Sequence, residues 1–165
     1  MAGADGPRWA NTVTPARFLS IDDTFWPLLV IRMHGSPTDE QYQDYLDMMT
    51  RYLRRGEAYT SIIDMSQAGV STPGQRQLLA DWCRENDRLL RERLLGTSFI
   101  VTSALQRLLV NVVFYLKPPT QPHIVVARWE QALPWAADRL EAAGFARHAA
   151  QVRRHPALRS AASGG

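Results

Sequence analysis

Two hydrophobic periods alternate along this chain. Residues 59–65 and 97–102 are short runs, apolar on both faces and rich in β-branched residues, which is the pattern of interior parallel strands. Between them apolar positions recur three and four apart. Tyr42, Tyr45, Leu46, Met49, Tyr52 and Leu53 form one such stripe, opposite Gln43, Asp44, Asp47, Arg51 and Arg54. Thr38 and Gln41 make a capping box that opens this helix, and Gly56 closes it. A second box, Thr72 with Gln75, opens a helix with the stripe Leu78, Leu79, Trp82, Leu89 and Leu90, and Pro73 takes its tolerated first position. Ser103 and Gln106 read as a third box. The helix they open is apolar almost all round until Pro118 and Pro119 stop it. Residues 123–128 are a last strand, followed by a helix from Glu130 to Ala143 that Gly144 terminates. Ahead of all this, residues 17–21 and 25–33 read as a hairpin about the turn Asp22-Asp23-Thr24. Pro27 confines the start of its second strand to an edge or a bulge.

The order is therefore β-β-α-β-α-β-α-β-α. It predicts an α/β fold in which helices pack on a central, mostly parallel five-stranded sheet with right-handed crossovers. One such domain over residues 17–145 suits a chain of 165 residues. Residues 1–16, rich in Ala, Gly, Pro and Thr with a lone Trp9, read as a flexible arm. Residues 146–165 read as a basic, partly disordered tail with one further helical turn.

Charge sharpens this division. Of the 19 basic residues, Arg147, Arg153, Arg154 and Arg159 follow Phe145 with no acid among them, leaving 15 against 16 acidic residues in the body. The body has no basic excess, so nucleic-acid binding by the folded domain is not expected. The single cysteine, Cys83, excludes an internal disulfide. No apolar run approaches the roughly 20 residues of a membrane helix, and the first residues lack the apolar core of a signal peptide, so a cytoplasmic protein is expected.

Residues 59–75 join a buried strand, a Gly/Ser-rich turn and a helix start, and the turn after a central strand is where α/β sheets receive ligands and partners. Thr72 caps the helix, a role worth about 1 kcal/mol. Thr72 and Ser71 also read as a phosphorylation or anion site, because a phosphate there meets free N–H groups and the positive helix end. Asp64 is expected to brace the turn by accepting backbone hydrogen bonds. No second acid or histidine pairs with it, as a catalytic carboxylate needs. His34, His123, His148 and His155 are scattered, so neither a metal site nor a cofactor is expected. The third helix has only Gln106, Arg107, Asn111 and Lys117 as polar positions. It reads as a protein interface (a homodimer included), as the wall of an apolar-ligand groove, or as a face covered by the arm or the tail.

Asp64-Met65-Ser66 at a strand end is similar to the Asp-Leu-Ser-type strand end of the STAS domain. Ala132-Leu133-Pro134-Trp135 looks like the Ala-Leu-x-Trp opening of the last helix in small bacterial SEC14-like STAS proteins. With the element order over residues 17–144, the chain resembles these anti-sigma-factor-antagonist-like modules. The resemblance implies a STAS-like sandwich and a serine or threonine at the start of the second helix that a partner kinase phosphorylates. The nearest positions are Ser71 and Thr72, although Val70 stands where the family has an acid and Pro73 follows Thr72.

The expectation is a non-enzymatic regulatory module that binds a regulator or kinase-like protein. Asp64, Ser66, Ser71, Thr72, Gln75 and Arg76 form its docking and switch surface. The alternative is a carrier or sensor of an apolar ligand or lipid. Leu105, Leu108, Leu109, Val112, Val113 and Trp129 supply either the interface or the groove.

Overall fold

A computed structural model describes residues 18–156 and residue 158. The expected arm, with Trp9, lies outside the described residues. Strands β1 (Leu19–Asp22) and β2 (Leu28–Gly35) are antiparallel, and β3 (Tyr59–Ala68), β4 (Leu94–Ile100) and β5 (His123–Val126) continue the sheet in parallel, in the order β1-β2-β3-β4-β5. The α/β class, the five strands and the mostly parallel sheet are those expected from the sequence.

Sequential strand order decides where the helices lie. Right-handed crossovers that always step the same way put every connecting helix on one face. Helices α1 (Asp39–Arg54), α2 (Pro73–Glu85), α3 (Asp87–Arg93) and α4 (Ala104–Leu116) occupy that face. The other face would be bare. It is covered by α5 (Trp129–Ala142), which leaves edge strand β5 and folds back over β3, β4 and β5, with α6 (Ala146–Arg154) beside it.

Two hydrophobic layers result. Leu28, Val30, Ile62 and Ile100 pack under α5, whereas Leu29, Ile31 and Tyr59 pack under Tyr45, Met49 and Leu53 of α1. The period of two along the strands assigns alternate residues to opposite layers. α5 presents Ala132, Ala136 and Ala137, all fully buried, so its backbone comes close to the sheet. Gly96 of β4 completes the fit: a Cβ there would lie 2.7 Å from the ring of Trp135 and 3.1 Å from the Pro122 carbonyl oxygen.

Three local readings change. β3 continues to Ala68 instead of ending at Met65, because its last residues pair with His34 and Gly35 of β2. The second helix divides at Asn86, whose side-chain Nδ2 and backbone N–H both donate to the Trp82 carbonyl, at 2.9 and 3.0 Å; an Asn side chain competing for helix carbonyls favours a break. The basic segment after Phe145 holds the nine-residue helix α6, more than one turn. Its Ala149 and Val152 are buried, and Arg153 reaches Asp138 and Glu141 of α5 at 2.6 and 2.9 Å. Ala149 and Val152 repeat at helical spacing, so this contact leaves a signal in the sequence.

Gly96→Ala is expected to destabilise the domain by about 1–3 kcal/mol, since neither the Trp135 ring nor the Pro122 backbone yields easily. Urea denaturation checks this, and an unchanged midpoint would contradict the tight α5–sheet contact.

Candidate functional site

The elbow after β3 is built from below. Asp64 is buried, with its Oδ1 accepting the Ser66 N–H and its Oδ2 accepting the Trp129 indole N–H, both at 2.9 Å. Between Arg32↔Asp64 and His34↔Gln67 the β2–β3 ladder slips by one residue, a bulge that leaves an extra residue on β3. Asp64 takes the Ser66 amide at that bulge, which is the turn-bracing role the sequence suggested. The indole bond is new. It ties β3 to the first residue of α5, and the Arg32 guanidinium lies over the same indole, 5.1 Å from its ring. With both carboxylate oxygens engaged, Asp64 is a structural brace.

Beyond the bulge the chain is fixed again. Gly69 N–H donates to the Gly35 carbonyl at 2.8 Å and Val70 N–H to Ser36 Oγ at 3.1 Å. Gly69 lies against Gly35 and Ser36 so closely that a Cβ would sit 2.9 Å from their backbone. Thr72 and Gln75 form the full capping box, with both bonds at 3.1 Å. Gln75 is buried and its Nε2 also donates to the Pro37 carbonyl and to Asp39 Oδ1, so it clamps the starts of α1 and α2 together. Arg76 donates to the Ser71 carbonyl and, at 3.4 Å, to Ser71 Oγ.

The predicted set therefore divides. Thr72, Pro73 and Gly74 are exposed, Val70 is 49% exposed, and Ser71 and Arg76 are half-buried at the rim. Asp64 and Gln75 sit beneath them as framework, and Ser66 is held by Asp64.

The residues named for the apolar face divide as well. Leu105, Leu108 and Tyr115 of α4 point to solvent, 51%, 58% and 87% exposed, with half-buried Val112 completing a stripe at spacings of three, four and three. Leu109 and Val113 point the other way, into a cavity of about 190 Å³ between the sheet and α1, α2 and α4. Trp129 belongs to neither: it is buried under α5, on the opposite face of the sheet. Its placement beside the third helix is corrected, because a helix entered from β5 covers the face that the crossovers leave bare.

Only half of the third capping box forms. Ser103 Oγ accepts the Gln106 N–H at 3.1 Å, but the Gln106 side chain turns away, accepting from Thr102 N–H at 3.0 Å and donating to the Ala68 carbonyl at 3.3 Å. Gln106 thereby joins α4 to the elbow.

Most of the cavity wall is apolar, including Met33, Ile63 and Met65 of the sheet and Phe114 of α4. Tyr42, Tyr45 and Cys83 also line it. Burial pushes the Cys83 thiol up to about 11 and raises both tyrosine phenols. By their spacing in the sequence the two tyrosines read as ordinary core positions of α1. The available signal was the phenol itself, since a buried tyrosine hydroxyl usually finds a partner. At one end of the wall Lys117 Nζ meets Asp87 Oδ1 at 2.9 Å, and hydrogen bonds from Lys117 and Arg91 hold the Asp87 carboxyl below its usual range.

Comparison with known proteins then bears on the architecture. An uncharacterized protein of the DUF3478 family with a SpoIIAA-like fold, from Shewanella loihica PV-4, superposes with a TM-score of 0.54 and 13% identity, over 72% of this chain and 91% of its own. This chain has the SpoIIAA-like fold. That is the STAS-like architecture the sequence resemblance implied. No family model matches the chain, and neither does any curated protein. No helix among the described residues of this SpoIIAA-like domain is long and apolar enough to cross a membrane.

Trp129→Phe removes one donor from the buried Asp64 carboxylate and is expected to cost about 1.5–3 kcal/mol, measured by chemical denaturation at neutral pH. A loss no larger than that of an exposed control such as Arg88→Ala would contradict the brace. Because burial pushes the Cys83 thiol up to about 11, its alkylation by iodoacetamide at pH 7.5 is expected to be slow in the folded protein and to accelerate on unfolding. Mass spectrometry of the labelled chain follows this directly.

Proposed function

We propose that this SpoIIAA-like domain is a non-enzymatic regulatory module that binds a protein partner through the elbow at residues 64–76. The supporting observation is a rigid elbow with an exposed tip. Val70 and residues 72–74 face solvent, while Gly35, Ser36, Gln75 and Gln106 hold the backbone beneath them by hydrogen bonds. A surface already fixed in its bound shape loses little conformational freedom on docking. Ser71 and Thr72 are the proposed switch positions. A phosphate at Ser71 adjoins the Arg76 guanidinium, and one at Thr72 meets the free N–H groups of α2, so either is locally tolerated while reversing the character of the tip.

The test uses the protein from its native cells, cross-linked to its partner. Recovery of one partner by the wild type, lost on Val70→Asp and Thr72→Glu together and kept in Arg88→Ala, supports the elbow; equal recovery by all three would sink it. Phosphopeptide mapping of the same material locates any phosphate at Ser71 or Thr72.

The outward stripe of α4 is the proposed self-association face, since an exposed apolar stripe of this length marks a contact surface. Sedimentation is expected to show a dimer for the wild type and a monomer for Leu108→Asp.

A second reading is favoured by the cavity. An apolar void under α4 suits the carrier or sensor of an apolar ligand, its wall including Leu109 and Val113 but not Leu105, Leu108 or Trp129. Native mass spectrometry that finds no bound small molecule on protein purified from its own cells would count against this reading.

A further inference from the structure

On the cavity wall, tyrosine hydroxyls stand without a protein partner. Tyr42 and Tyr45 are 6% and 5% exposed, and both line the void. Neither hydroxyl has a hydrogen-bond partner among the described residues, and neither is fully enclosed, so each opens onto accessible space. Among the other polar groups of the wall, Ser61 Oγ and Thr97 Oγ1 bond each other at 2.9 Å and the Trp82 indole donates to Thr50 Oγ1 at 2.9 Å, while the hydroxyl of Tyr59, 3% exposed, shares the situation of the first two tyrosines. Hydroxyl donors with no protein partner that open onto a space a small molecule can enter are available to an acceptor placed there.

We infer that the cavity is a recognition site for a small neutral ligand with one hydrogen-bond-accepting oxygen, held by the Tyr42 and Tyr45 hydroxyls. This rests on the carrier or sensor reading and names its ligand class. Size limits the ligand first. At about 190 Å³ the cavity is somewhat larger than an apolar void of about 150 Å³ that admits benzene, so it suits one ring with a short substituent, or a short chain. Charge limits it next. The Lys117 and Asp87 side chains on the wall already neutralise each other, and an ion brought into the apolar remainder would lose its hydration uncompensated. The phenols, kept protonated by burial, are donors throughout the physiological range, so a carbonyl or ether oxygen is their complement.

The test titrates the full chain with three probes, acetophenone, ethylbenzene and benzoate, following the Trp82 indole N–H by NMR, since Trp82 lines the cavity. Acetophenone is expected to bind about three- to tenfold more tightly than ethylbenzene, the yield of one net hydrogen bond, and benzoate weakest of the three. Tyr42→Phe and Tyr45→Phe remove only an oxygen, and a melting curve confirms their fold. At least one is expected to weaken acetophenone by about three- to tenfold while leaving ethylbenzene unchanged. Val113→Trp, which fills the void, is expected to abolish binding of all three. Equal affinity for the two neutral probes, untouched by the phenylalanine variants, would overturn recognition by the hydroxyls while the apolar cavity stands. Binding by none of them in the wild type, with the hydroxyls meeting only water, overturns both.

Discussion

Strand β3 lies third of five, and most of its length is withdrawn from water on both faces. Ile62 and Asp64 look towards α5, while Ile63 and Met65 look towards α1, α2 and α4. The two sides are covered in different ways. Small residues of α5 bring helix and sheet close, with Gly96 cleared for Trp135. On the other side tyrosines, methionines, Trp82 and Phe114 stand between the helices and the strands, and large side chains of irregular shape leave a void where α4 crosses. One face is a packed floor and the other has room.

Burying Asp64 in the packed half carries a cost that only good partners offset. Trp129 and the Ser66 amide supply them, and they also perform a mechanical task. One bond pins the start of α5, the other holds the bulge from which β3 turns outward. A carboxylate that looks chemically suggestive in the sequence thus spends its acceptors on geometry. The partner-binding reading depends on that rigidity, since the exposed tip from Val70 to Gly74 has a fixed base.

Elbow and cavity share a wall. Ala68, Gly69 and Ser71 face the void from the elbow, and Gln106 of α4 holds the Ala68 carbonyl. The two readings of function therefore concern one continuous piece of structure. A ligand under α4 would lie against the segment whose outer surface is proposed to meet a partner, and the Gln106–Ala68 bond belongs to both.

The amino-acid sequence determined the element order apart from the break at Asn86 and the helix α6, the α/β class, the capping boxes at Thr72 and Thr38 and the elbow's exposure. These depend on local periodicity and on side chains acting within a few residues of themselves. It also marked Asp64 as a brace, because an Asx carboxylate reaches an amide two residues on. Everything that required knowing which face a helix covers was left to tertiary structure. Trp129 and Leu109 are equally apolar in sequence, yet they lie on opposite sides of the sheet because one helix follows an edge strand and the other joins two strands. The void, and the two tyrosine hydroxyls facing it, arise from how bulky layers fail to close. Such a gap is a property of several elements at once, and no stretch of a dozen residues encodes it.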